Sequence, residues 1–159
     1  VYLFIKAKEA GLIKENVFIT TKLSKFKKLV AIHVDGETQK PDMDLVLYGV
    51  GKDDAIKDLM IISLKTSLRE RAGQTYKWKL LLEIATSDNP IKTKYNINYP
   101  LNKIPIVCFA TINFYNEINN PQHRGMFKFF DKSFIGKPIK ADFIDNLSSL
   151  IDFANNKLS

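Results

Sequence analysis

The chain is poor in the residues and runs that mark secreted or membrane proteins. Its 159 residues include one cysteine, Cys108, which excludes an intramolecular disulfide framework and any multi-cysteine zinc site and fits a reducing cytoplasm. No apolar run approaches the ~18 residues that a membrane-spanning helix requires. The first residues, Val1-Tyr2-Leu3-Phe4-Ile5-Lys6, show neither a basic leader nor a small-residue cleavage site, so secretion is not expected. Only seven glycines are present, none of them in a phosphate-cradling loop, and there is no zinc motif and no nucleophile elbow. A small-molecule enzyme therefore has no signature here.

Arginine is the most informative scarcity. Lysine and arginine together number 24 against 17 acidic residues, a formal charge of +7, yet only Arg69, Arg71 and Arg124 are arginine. The positive balance points to a polyanionic partner. Within a composition so biased to lysine, two of the three arginines fall in one triplet, Arg69-Glu70-Arg71.

The hydrophobic pattern predicts one α/β domain over residues 1–159, with no repeat and no linker. Leu3 to Ile13 reads as a short amphipathic helix that Gly11 interrupts or ends, and a second helix is expected around Thr21 to Lys28. Three apolar, β-branched runs read as strands: Leu29 to Val34, closed by the turn Asp35-Gly36; Asp44 to Val50; and Leu59 to Lys65. Gly51 to Asp58 is the expected hairpin loop between the last two. Such continuous apolar runs belong to strands covered on both faces. The longest helix is expected from about Leu68 to Ala85, capped by Thr66 or Ser67. Thr86 to Lys103 reads as a loop, Ile104 to Ile112 as a buried strand, Asn119 to Gly125 as a loop, and Met126 to Ile135 as a hairpin. A closing helix is expected over Ala141 to Asn155.

Two of these strands bring chemistry together. Asp44 stands at the start of one and Lys65 at the end of the next, and across an antiparallel hairpin the start of one strand lies beside the end of the other. A carboxylate can hold Mg²⁺ with hard oxygens while a lysine orients water and offsets phosphate charge. Asp42, two residues before Asp44, would share its face and border the same ion.

This arrangement resembles the PD-(D/E)xK nuclease superfamily, whose signature is an acidic residue at the start of one strand and a Glu/Asp/Ser-x-Lys at the end of the next. The segment Ser63-Leu64-Lys65-Thr66-Ser67-Leu68-Arg69-Glu70-Arg71 is similar to the CCGG-reading branch of type II restriction endonucleases, the BsaWI-like enzymes. In that branch Ser or Thr stands two before the lysine, an Arg-(Asp/Glu)-Arg triplet begins four residues after it, and a helix glutamate supplies the missing ligand. The resemblance implies a central mixed sheet flanked by helices, Mg²⁺-dependent cleavage of double-stranded DNA at a short palindrome, a homodimer, and a prokaryotic cytoplasmic setting. It implies catalytic roles for Asp44, Lys65 and Ser63. At 13 and 14 residues past the lysine, where the branch carries its glutamate, this chain has Trp78 and Lys79. Glu83, one turn beyond Lys79, is the first candidate for the displaced metal ligand beside Asp44 and Asp42.

The chemistry of the triplet suits base reading. Arginine's fork bonds guanine O6 and N7 together and a carboxylate accepts from cytosine N4, so Arg69, Glu70 and Arg71 can read consecutive G·C pairs. Arg124, in a loop, and Lys92 and Lys94, interleaved with Tyr95 and Tyr99 and followed by Lys103, are candidate backbone contacts. His33, His123 and Cys108 read as structural residues, and Trp78 and Tyr76 as core or interface. A structure-selective repair or resolvase-type nuclease and a non-catalytic DNA-binding module are the alternatives.

Overall fold

A computed structural model of the chain describes residues 1–66, 72–112, 117–138 and 141–158. In chain order its elements are α1 (Tyr2–Glu9), β1 (Val17–Thr20), α2 (Ser24–Leu29), β2 (Ile32–Val34), β3 (Glu37–Gln39), β4 (Leu45–Val50), β5 (Ile56–Lys65), α3 (Ala72–Thr86), α4 (Pro90–Lys94), β6 (Ile97–Asn98), β7 (Ile106–Thr111), α5 (Pro121–Phe127), β8 (Lys132–Ile135), β9 (Asp145–Asn146) and α6 (Leu150–Lys157). A six-stranded mixed sheet, ordered β1-β4-β5-β7-β8-β9, forms the centre. β1, β4 and β5 pair antiparallel, and β5, β7, β8 and β9 run parallel. No helix among the described residues is long and apolar enough to cross a membrane.

The alternation of side chains along the strands divides the core into two layers. On one face Val46, Ile61, Val107 and Phe109 meet Ala72, Trp78, Leu82 and Ala85 of α3 and Phe127 of α5. On the other, Leu45, Leu47, Met60, Ile62 and Cys108 meet Phe4 and Ala7 of α1 and Ile151 and Ala154 of α6. Burial on both faces explains the apolar runs Leu59–Ile62 within β5 and Ile106–Ala110 within β7, and each fully buried Ile or Phe contributes about 1.5–3 kcal/mol.

Several sequence expectations change. The run Leu29 to Val34 supplies only β2, which lies in a separate three-stranded sheet, β3-β2-β6. The outer place beside β4 in the central sheet is taken by β1, whose four residues are too few to stand out in the pattern. The turn Asp35-Gly36 does reverse the chain: both residues have positive φ, and Val34 pairs with Glu37 across a two-residue hairpin. Two segments read as loops contain helices, α4 and α5. Each starts with the same device, an asparagine N-cap accepting from the backbone and a proline in the first turn, Asn89-Pro90 and Asn120-Pro121. No hairpin forms over Met126 to Ile135, because α5 reaches Phe127 and β8 then pairs parallel to β7. The closing helix is confined to α6, since Asp145–Asn146 pairs with β8 first.

Candidate active site

The β4–β5 register carries the site. Leu45 lies opposite Ile62, and the Asp44 amide donates to the Ile62 carbonyl at 3.1 Å, so the chain just before β4 stays beside the end of β5. Residues 41–44 precede the strand, and Met43, buried in the core between the two aspartates, anchors them. Lys65 is the last residue of β5 and its side chain is 6% exposed. Its Nζ lies 2.8 Å from Asp42 Oδ2 and 3.1 Å from Asp44 Oδ2. Asp44 Oδ2 also accepts from the Leu64 amide at 2.7 Å, which fixes this carboxylate against β5.

Electrostatics hold Lys65 as a cation. Burial opposes its charge, but hydrogen bonds and Coulomb attraction from Asp42 and Asp44 outweigh that, and its pKa stands above the ordinary lysine value. An ammonium has three donors. Two are engaged by the aspartates, which leaves one for a water or a phosphate oxygen.

Asp42 and Asp44 both meet Lys65 through Oδ2, and neither Oδ1 atom has a partner among the described residues. Their side chains are 36% and 38% exposed. Two hard, accessible carboxylates suit a magnesium ion, which keeps several waters and takes one or two protein carboxylates beside substrate phosphate. No group of three or more potential ligands among His, Cys, Asp and Glu occurs within the described residues.

The remaining predicted residues separate. Ser63 is fully buried and accepts a hydrogen bond from Thr75 Oγ1 at 2.9 Å, which ties the first turn of α3 to the end of β5. Glu83 is not brought to this cluster. Lys79, one turn after Thr75, reaches Asp131 Oδ2 at 3.2 Å, and that oxygen accepts from the Val107 amide, level with Ile61. The helix thus runs back along the sheet, away from Lys65, and Glu83 stands about 12 Å along the axis from Thr75. There its Oε1 pairs with Lys79 Nζ at 2.6 Å. The spacing that suggests a ligand instead makes an i, i+4 ion pair.

Arg69, Glu70 and Arg71 lie outside the described residues. Arg124 stands over the Phe143 ring at 5.5 Å, and Lys94 over Tyr95 at 5.0 Å. Lys92 and Lys94 belong to α4, just past the end of α3 remote from Lys65. Lys103 pairs with Asp58 near the start of β5. Cys108 is buried, and burial, with Asp131 nearby, pushes its thiol far up, so it is inert.

Comparison with known proteins decides the family. A family model described as the BsaWI restriction endonuclease, type 2, matches residues 22–156. The chain belongs to this BsaWI-type restriction endonuclease family. It is also 41% identical over 77 residues to MjaVIP, a candidate type II restriction enzyme of Methanocaldococcus jannaschii. That match covers 48% of this chain and 34% of MjaVIP, so the chain spans about a third of its relative. The six-stranded mixed sheet with helices on both faces fits the PD-(D/E)xK-like core of such a restriction endonuclease.

Proposed function

We propose that this chain is a type II restriction endonuclease that hydrolyses phosphodiester bonds in double-stranded DNA at a short CCGG-like palindrome, using Mg²⁺. The observation that supports it best is the Lys65 ammonium between Asp42 and Asp44 at the mouth of β4 and β5, in a chain of this family. Asp44 and Asp42 are the proposed holders of the cation. When bound, the cation supplies Lewis-acid stabilisation of the charge that develops on the phosphate.

Lys65 uses its free donor to orient the attacking water and to offset negative charge on the phosphoryl oxygens. Ser63 serves as a positioning residue, holding Thr75 and through it the start of α3. Glu83, committed to Lys79, has no part in this ligand set. Arg69, Glu70 and Arg71 are the proposed base readers, as their donors and acceptor suit consecutive G·C pairs. A palindromic site cut on both strands implies a two-fold homodimer, since the symmetry of protein and site match. Arg124 keeps a proposed backbone contact, whereas Lys92 and Lys94, on α4 beyond the far end of α3, lie away from Lys65 and are assigned none.

Digestion of a sequenced DNA of mixed composition in Mg²⁺, with the ends mapped, tests this reading. Discrete ends sharing a G·C core are expected. Ends at random positions or at branch points would defeat it.

A further inference from the structure

A groove of about 470 Å³ opens beside the candidate active site, lined by Lys27, Lys40, Asp42, Gln74, Lys77 and Trp78 among others. Its three lysines come from separate parts of the chain: Lys27 from α2, Lys40 from the segment after β3, and Lys77 from α3. Among the described residues none of them has an ion-pair partner. Asp42, the carboxylate in the groove wall, is already engaged by Lys65. Unpaired positive charge is therefore concentrated on one side of the reaction centre.

A second feature makes occupancy of the groove visible. Trp78 is 5% exposed, and its indole N–H is buried without a hydrogen-bond partner. Trp78 lines the groove while its N–H is enclosed, so the ring reports on an occupant without bonding it through that donor. The larger cavity beside α5 differs in its charges. It is lined by Arg124, Lys128, Lys132, Asp131 and Asp142, but Arg124 stacks on Phe143 and Lys132 is held by Asp145 at 2.8 Å.

We propose that the groove carries the sugar-phosphate backbone of the scissile DNA strand towards Lys65, with Lys27, Lys40 and Lys77 each neutralising a phosphate. Lysine suits the task because a flexible point charge follows a backbone without reading sequence. Asp42 lines the groove and also holds Lys65, so a strand lying in the groove passes beside the Lys65 donor. The proposal rests on the nuclease reading above and adds the path by which substrate arrives.

The test is the salt dependence of binding to a short duplex of defined sequence, measured without Mg²⁺ so that nothing is cut. Removing one lysine–phosphate pair lowers the slope of log K against log salt by about 0.9. Lys27→Gln, Lys40→Gln and Lys77→Gln should each flatten the slope by about 1, and the triple variant by about 2 to 3, with the thermal midpoint unchanged. A control triple, Lys52→Gln, Lys57→Gln and Lys157→Gln, removes exposed lysines elsewhere and should leave the slope near that of the unmodified protein. Trp78 is the chain's only tryptophan, and its emission should change on DNA binding.

Groove and control triples with the same slope, or an unchanged emission at saturating DNA, would overturn the proposal. If Asp44→Ala still abolishes cleavage in that case, the nuclease reading stands and only the groove assignment falls. A protein that binds no DNA overturns both.

Discussion

Two lysines in one layer of this molecule are buried in nearly the same way, and we propose different work for them. Lys65 and Lys79 have side chains 6% and 3% exposed, each is clasped by two carboxylates, and in each pair one aspartate also accepts from a backbone amide. Lys79 and its partners sit where β8 begins, and Asp131 binds β7 and α3 at once. Its second partner, Glu83, is a neighbour on its own helix. The cluster therefore closes on itself and fastens α3 to the sheet. Lys65 stands at the carboxyl end of β5, beside that of parallel β7, the end at which open α/β sheets place their ligands. Its aspartates keep oxygens without a partner among the described residues, and Asp42 lines a groove whose lysines have no ion-pair partner among those residues. Burial and ion pairing alone do not distinguish a site from a fastening. The open valences and the place in the sheet do.

The comparison is broken most strongly by exchanging the consequences of the two lysines. Per folded molecule, Lys65→Ala and Asp44→Ala should each lower cleavage by at least ~10²-fold, the scale of removing one preorganised electrostatic interaction. Lys79→Ala should leave cleavage per folded molecule near its starting value. It should destabilise the fold by about 2 kcal/mol, less than the loss of a fully buried pair because Glu83 and Asp131 are partly solvated, and so lower the midpoint by roughly 5 °C. Differential scanning calorimetry beside a cleavage assay separates the two effects.

Thr75→Val should cost about 1–2 kcal/mol by leaving the buried Ser63 hydroxyl without its donor, and Thr75→Ser should restore most of it. The smallest effect is expected from pH. The Lys65 pKa is raised above 10.5 in the fold, so the ion-pair contribution is fully present below 10.5 and is lost only as pH rises through the higher folded value. Cleavage between pH 7 and 9 should show no loss from Lys65 deprotonation, and an NMR titration of its ammonium checks this.

What the sequence discloses follows from which interactions are local. β4, β5 and β7 are legible because burial on both faces demands continuous Val, Ile and Leu, and with them comes the register that joins Asp42 and Asp44 to Lys65. α4 and α5 escape a sequence reading because their signal is two asparagine-proline caps in segments otherwise rich in turn formers. β1 and β9 escape it because strands of four and two residues have too few positions to show a period. Glu83 is misplaced by its spacing, which says which face of a helix a residue occupies but not how far it lies from a strand end. Lys79 is the available signal, as a lysine on the buried face one turn before a glutamate. The convergence of Lys27, Lys40 and Lys77 is purely tertiary, and among 21 lysines no sequence pattern marks those three.

In the proposed mechanism the lysine at the mouth of the strands is catalytic and the one inside the layer is structural. It is tested most directly by purifying Lys65→Ala and Lys79→Ala, confirming that each is folded, and mapping Mg²⁺-dependent ends on one sequenced DNA. Lys79→Ala should produce the same discrete ends as the unmodified protein, and Lys65→Ala none above background. Cleavage by Lys65→Ala at the unmodified rate, or its loss in a folded Lys79→Ala, would contradict it.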